Sequence, residues 1–556
     1  MIAGRRDALA LTAIAAGVAT ATPWAAGALP VWPAGLLGTI GMAQLTWSQA
    51  MATLERIDED SREGFVLPSD EPIDDKGSGL HIGLTTDKNT RVNMPDNLGK
   101  RHTAIVGQSG VGKTTIGEYI LWQQTARGGG WLFIDAKIDR DTRDHLAYMA
   151  KVTGREDELY IIDVSDPDNA NTYNPVLHGD PDEVASRLMN LIPSAENNPG
   201  ADHYRQSANH ALTVIIAALQ ASGQLYHFGD LSILLQSDKA LENLERMTPQ
   251  GSERRALSIF LDQFRTRTKE GTKIDLNRMK QTLGGMAGRI ALFAQGKFGK
   301  VFNVYAPEIV LTEIIRKGHM LYVSLPTMGK DTAALNLGKM IVSDIRSAVA
   351  HIQDLPKGER PEHFIALLDE MGAYVMEGVG RLFEQARSAN IALIPAFQSF
   401  SQLNRVSPDF ADIVIQNTWN KIFFKFGSKD SPEEAAEILG KTKRFQRSVS
   451  VSANQGESAQ YLRTTPQSSM SDGGGMGESW REIEEFRVTP DQLRAMDMGH
   501  AVMMMGARMY HLRTPMINYP KKIPSFKAVK HNKKIPANKQ PLNFEDRLNE
   551  FLTEVA

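Results

Sequence analysis

Cysteine is absent from the 556 residues. That excludes disulfides, thiol nucleophiles and cysteine-ligated zinc from any account of how the chain folds or works. An excess of charge of either sign is missing too: the formal net charge is −3. Nothing global attracts a polyanion, so contact with nucleic acid has to come from local patches. There is no internal repeat, which excludes solenoids and propellers. What remains, 42% hydrophobic and 23% charged residues, is the composition of an ordinary globular protein, and the length suggests roughly two to four domains.

Charge also disappears locally. After Asp7 the next charged residue is Glu55. As helix that span would run about 70 Å, against a bilayer core of about 30 Å. Two crossings are expected, Ala8–Ala28 and about Ala34–Ala52, turning at Pro30-Val-Trp-Pro33. Arg5 and Arg6 before this hairpin, and Arg56 after it, place both ends in the cytoplasm. The expected arrangement is therefore two-pass in a membrane, with the bulk of the chain cytoplasmic. A cleaved signal peptide, with small residues near Ala25–Ala28, is the competing reading.

Residues 107–115 read GQSGVGKTT. Gly107, Gly112, Lys113 and Thr114 meet the pattern G-x-x-x-x-G-K-[ST], in which glycines turn successive N–H groups into one anion-binding concavity. Gln108, Ser109, Gly110, Val111 and Thr115 complete the loop. Lys113 is expected to reach the β- and γ-phosphates of ATP, and the Thr114 hydroxyl to sit on Mg²⁺. The β-prone Thr103–Val106 precedes the loop and a helical Thr115–Ala126 follows it, as a phosphate site requires.

Such a site needs a carboxylate at a neighbouring strand end for the metal and a second one to deprotonate water. HFIALLDE supplies Asp369 and Glu370 after an apolar run. Further on, Gln398 caps the strand ANIALIPAF. Arg387 lies just before that strand, where it could neutralise phosphate charge across a subunit boundary; an ordinary surface ion pair is the plain alternative. Arg381 is a weaker candidate for that role.

Around these motifs the pattern is one of apolar strands alternating with helices, which predicts an α/β fold with a parallel sheet. Residues 55–79 read as an acidic linker, 80–181 as the first part of the nucleotide-binding domain and 301–520 as its second part. Between them, 182–300 shows helical periodicity and is expected to be an all-helical insertion. The stretch 448–479, rich in Ser, Gln and Gly, reads as a long mobile loop. HAVMMMGARMYHLRT (500–514) reads as a closing hairpin turning near Gly506, and 521–556 as a basic tail with a short terminal helix.

HTAIVGQSGVGKTT, DAK, TYNPV, SLP, LLDEMG and ARSANIALIPAFQSFSQL occur in this order. With the apolar N-terminus and the helical insertion, they make the chain resemble the type IV coupling proteins of the TraG/TraD group, RecA-like, FtsK-related P-loop ATPases of conjugation and type IV secretion. The resemblance covers about 80–530. It implies a ring of six subunits with ATP sites between neighbours, Lys113, Thr114, Asp369 and Glu370 in the ATP roles, Arg387 acting in trans and Gln398 as the motif glutamine. It also implies relaxase or relaxosome proteins and inner-membrane components of the secretion system as partners.

For DNA, the later insertion is the basic part. From Arg254 to Lys300 it carries eleven lysines and arginines and few carboxylates. Arg254, Arg255, Arg265, Arg267, Lys269, Lys273, Arg278 and Lys280 are the candidate phosphate contacts. Aromatics there are sparse (Phe260 and Phe264), so binding without sequence preference is expected. The rivals to a DNA-coupled motor are a nucleotide-gated receptor for protein cargo and an FtsK-like duplex translocase. The latter type usually has four membrane helices and a C-terminal winged helix, and neither is visible here.

Overall fold

The computed structural model describes residues 67–73, 79–137, 139–192, 199–268, 271–327, 331–454, 473–531 and 533–544. The chain divides into two compact units, Met1–Leu67 with Ala495–Asp497, and Pro68–Arg494 with Met498–Ala556. The second holds everything that follows.

In chain order its strands are β1 (Leu80–Thr85), β2 (Arg91–Met94), β3 (Thr103–Val106), β4 (Gly130–Asp135), β5 (Leu159–Asp163), β6 (Gln224–Leu225), β7 (Arg265–Thr268), β8 (Gly271–Ile274), β9 (Met320–Ser324), β10 (Phe364–Leu368), β11 (Ile391–Phe397), β12 (Asn420–Phe423), β13 (Lys441–Asn454), β14 (Gly473–Phe486), β15 (His500–Met505), β16 (Arg508–Arg513) and β17 (Gln540–Pro541). Eleven of them form one sheet in the order β2-β1-β16-β15-β12-β3-β11-β10-β4-β9-β5. From β12 to β5 every pairing is parallel; from β12 outward to β2 every pairing is antiparallel. The fold is thus a mixed α/β sheet rather than a purely parallel one. The reason is the hairpin β15–β16, whose tight turn at Gly506 (φ 64°) reverses direction without a crossover helix.

Strand composition follows burial. β4, β9, β10 and β11 are buried along their whole length and read as continuous apolar runs, because helices cover both faces of a parallel sheet. Trp131, Phe133, Ile161, Tyr322, Ile365 and Leu367 sit in one apolar cluster with Ile116, Ile120 and Leu121 of the helix Lys113–Ala126. Gly117 of that helix lets it approach the sheet: a Cβ there would fall 2.8 Å from Leu367 Cδ2.

Several expectations need correction. Among the described residues no helix is long and apolar enough to cross a membrane. The helices of sufficient length, Pro199–Ala221, Leu276–Ala294 and Asp331–Asp354, carry charged and polar residues along their course, as amphipathic core helices do. The two-pass inner-membrane placement is therefore not carried forward; the hairpin assigned to 1–54 lies outside the described residues, as do 55–66 and 74–78 of the linker. What is described of the linker is not loose. Asp70 exchanges two hydrogen bonds with the Met509 backbone, its N–H donating to the carbonyl at 2.9 Å and its carboxylate accepting at 2.8 Å.

The stretch expected to be all-helical also contains the antiparallel hairpin β7–β8 and the short β6. Alternating Arg-Thr-Arg-Thr had no apolar face to mark it as a strand. The loop expected over 448–479 is strand at both flanks, since β13 and β14 pair in unbroken antiparallel register from Lys441↔Phe486 to Asn454↔Gly473. The strand signal was present in the alternation of Val449, Val451 and Ala453 within SVSVSAN, set among Ser, Gln and Gly that read as loop. Residues 455–472 between them, and 545–556 of the expected terminal helix, lie outside the described residues.

The basic tail is docked along the body. Tyr519 stacks on His145 at 3.6 Å and donates to Glu118 Oε2 at 3.1 Å. His531 stacks on Tyr160, and β17 pairs with β6. Burial of a charge couples the helices nearby. Arg187, 1% exposed, pairs with Asp344 at 2.8 Å, while Tyr173 donates to the other Asp344 oxygen at 2.5 Å. Arg187→Ala would leave Asp344 half-buried without its cation. It should destabilise the chain by about 3–5 kcal/mol, seen as a large drop in thermal midpoint; a shift of under a degree or two would mean the pair is idle.

Candidate functional site

The ends of β3, β11, β10 and β4 set the site. They are neighbours in parallel register, with Phe397↔Val106, Leu368↔Pro395 and Leu368↔Ile134. Whatever follows each strand must therefore meet at one edge: the loop 107–112 after β3, Asp369 and Glu370 after β10, Gln398 after β11, and Asp135 with Lys137 at the end of β4. Ligands of parallel sheets collect at that edge.

The loop is fixed at its start by Gly107 N–H to Phe397 O (3.3 Å) and Gln108 N–H to Lys425 O (2.9 Å). Only glycine fits at 107, where a Cβ would lie 2.6 Å from Phe424 Cβ. Gly112, at φ 113°, starts the helix Lys113–Ala126 in a conformation that L side chains avoid. No side chain caps this helix, so its first-turn N–H groups and its positive end face the loop's concavity. Lys113 Nζ lies inside it, donating to Gly107 O at 2.7 Å and Gln108 O at 2.9 Å. Burial pulls the Lys113 pKa down, partly offset by Glu370 and Asp369.

Thr114 Oγ1 donates to Asp369 Oδ2 at 3.0 Å, and Asp369 Oδ1 accepts the Glu370 N–H at 3.0 Å. A hydroxyl and a carboxylate held this way are the hard oxygen donors that suit Mg²⁺. Glu370 itself sits at φ 50°, ψ 37°, the left-handed region, at a cost of about 1–2 kcal/mol for a residue with a Cβ. The strain turns its carboxylate back across the strand ends. There Oε1 accepts from Gln398 Nε2 at 2.8 Å and pairs with Lys137 Nζ at 3.2 Å.

Five residues expected at the site are thus brought together: Lys113, Thr114, Asp369, Glu370 and Gln398. Two are not. Arg387 and Arg381 are exposed, and Arg387 directly precedes β11, whose seven residues carry the chain roughly 20 Å to Gln398. Arg387 lies instead by the base of β3. There its charge, after burial, helps lower the His102 pKa to about 4. Among the basic residues of the insertion, Arg265 is neutralised by Glu245 (2.5 Å) and Asp262 (2.6 Å). Arg255, Arg267, Lys273, Arg278 and Lys280 are exposed, Arg254 is half-buried, and Lys269 lies outside the described residues. Phe260 and Phe264 are buried against each other, 5.3 Å between centroids, and cannot stack on bases.

Lys137 and Asp135 had no assigned role in the sequence reading. The signal was present: DAK ends an apolar strand just as DE does, but adjacency of β4 to β10 is a tertiary fact. Asp369 and Glu370 hold the Lys137 ammonium above the usual lysine range against the cost of burial. Asp135 is pushed up to about 7 by burial and by Asp369, despite accepting from Tyr322 OH at 3.1 Å. Because the folded protein holds this proton more tightly than the unfolded chain, stability falls as pH rises from about 4 to 7. Asp135→Asn should therefore raise the thermal midpoint at pH 8 and change it little at pH 4. Equal shifts at both pH values would contradict a buried, protonated Asp135.

Comparison with known proteins agrees with this fold. Residues 363–497 match the family described as the TraM recognition site of TraD and TraG. The type 4 coupling protein DotL of Legionella pneumophila is 22% identical over 388 residues, 62% of this chain and 49% of DotL. The chain thus spans about half the length of that curated relative. Among solved structures, the bacterial conjugative coupling protein TrwB, in its ΔN70 unbound form, superposes with a TM-score of 0.53 at 14% identity, covering 82% of this chain and 92% of that one. TrwB in complex with ADP and Mg²⁺ gives 0.50 at 14%, covering 82% and 93%. At such identity the likeness to TrwB is one of fold. Taken with the motif order, the family match over 363–497 and the relative make the chain similar to the TraG/TraD-type coupling proteins.

Proposed function

We propose that the chain binds ATP with Mg²⁺ and hydrolyses it, as a ring of six copies, to recruit and move a DNA or nucleoprotein substrate through a type IV secretion system. The observation that carries this reading is Glu370, a carboxylate on strained backbone, oriented by Gln398 and Lys137 beside the Lys113 loop. The complexes of TrwB with ADP and Mg²⁺ support the choice of ligand. In this reading the fold is RecA-like, with 80–181 and 301–520 forming the nucleotide-binding domain and 182–300 the insertion that receives substrate. Relaxosome proteins and other components of the secretion system are the partners.

Thr114 and Asp369 would hold Mg²⁺, which when bound would supply positive charge beside the phosphates. The loop's N–H groups and Lys113 hold those phosphates in line. Glu370 takes the proton from a water as its oxygen bonds to the γ-phosphorus and the bond to the ADP oxygen breaks. Arg387, exposed at the opposite edge of its own sheet, can serve only a neighbour's site.

A second reading, a nucleotide-gated receptor for protein cargo, is supported by two observations. The matched family is described by recognition of TraM rather than of DNA, and part of the basic surface is neutralised at Arg265.

In the full chain Lys113→Ala should abolish hydrolysis. Glu370→Gln should keep nucleotide binding while slowing turnover by at least about 10². Normal turnover in either variant would sink the assignment. Rings mixed from Arg387→Ala and Lys113→Ala subunits should regain activity; no rescue in rings shown to be mixed would count against action in trans. Hydrolysis measured with and without DNA, at low and high salt, separates the two readings. Salt-sensitive DNA stimulation favours the motor, and indifference to DNA favours the cargo receptor.

A further inference from the structure

The phosphate loop opens into two cavities. One, about 340 Å³, shares Thr114, Thr115, Lys137 and Met516 with the other, which alone has Met498, but is walled by the carboxyl groups of Glu118, Asp135, Asp139 and Asp141. The other, about 490 Å³, runs from Gly110–Thr115 to the open end of the β15–β16 hairpin, where Met498, Gly499, Thr514, Pro515 and Met516 form its far wall. No carboxyl or carboxamide side chain lines this second cavity, and Arg513 stands on its rim.

The wall is built to a fixed distance from the phosphate loop. Gly499, at φ 76°, donates its N–H to Val111 O at 3.1 Å. Thr514 closes the hairpin end by donating N–H and Oγ1 to Gly499 O, both at 2.8 Å. Two methionines flank this clasp, and each is 75% exposed. A flexible apolar side chain so exposed gains nothing from the fold itself. A thioether is, however, a good partner for the face or edge of an aromatic ring.

We infer that Met498 and Met516 clamp the nucleobase of the bound nucleotide. The inference rests on the proposed nucleotide site and adds to it the residues that hold the base. A triphosphate cradled by Lys113 and the loop carries its ribose and base out past Thr115. The acidic cavity repels the phosphate end of that path, whereas the methionine-lined one offers apolar surface and the Arg513 cation. Met498 and Met516 meet the face of the base, which adenine and guanine share, so the clamp takes both.

The test is calorimetric titration of the full chain with ATP, GTP and inorganic tripolyphosphate. Met498→Ala combined with Met516→Ala should weaken ATP and GTP by about tenfold each while tripolyphosphate binds as before. Met498→Leu with Met516→Leu should regain most of the loss. ATP binding unchanged in the alanine pair, with Lys113→Ala abolishing it, would overturn the clamp and leave the nucleotide site intact. An equal loss for tripolyphosphate would assign the effect to the phosphate loop and overturn it too. ATP binding retained in Lys113→Ala would remove the nucleotide site and the clamp with it.

Discussion

Parallel register at the centre of the sheet is the constraint on which the rest depends. With β3, β11, β10 and β4 side by side and pointing one way, four loops end at one edge. Only there can Lys137, after β4, come within 3.2 Å of Glu370, after β10, with the Lys113 loop of β3 beside them. The charges this concentrates, Asp135 and Asp369 against Lys113 and Lys137, shift one another's protonation in opposite senses. Perturbed groups gathered in a cleft mark a working site more often than a structural one.

Glu370 shows how such a site differs from ordinary packing. Its left-handed backbone is unfavourable, and its carboxylate is shared by an amide and an ammonium. A residue placed only for stability would adopt neither feature. The surrounding strands are buried and fully paired, so they hold the strained position that an isolated turn would release.

The antiparallel extension gives the molecule its second function-bearing edge. Hairpin β15–β16 lies next to β12, antiparallel to it, so its open end reaches the same side as the phosphate loop. Gly499 then ties the two together through one backbone hydrogen bond. The docked tail continues from that end past Glu118 and His145 to β6. It therefore touches both the helix of the phosphate loop and the helical segment between the sheet halves.

The sequence by itself determined the parts of the candidate site. GQSGVGKTT is legible because phosphate binding by backbone N–H groups demands glycines at fixed spacing, and LLDE because a buried parallel strand must be apolar until the residue that leaves it. The apolar strands and the hairpin around Gly506 were legible for the same reason, local pattern reflecting local burial. Tertiary structure alone decided what lies beside what. That Lys137 meets Glu370 follows from the adjacency of β4 and β10, and that Arg265 meets Glu245 from helix packing, neither of which a local pattern encodes. The hairpin β7–β8 stayed hidden because Arg-Thr-Arg-Thr offers no apolar face, and the ribbon β13–β14 because the alternation of Val449, Val451 and Ala453 is set among Ser, Gln and Gly. The methionine clasp stayed hidden because methionine in a sequence reads as core, and only exposure shows otherwise.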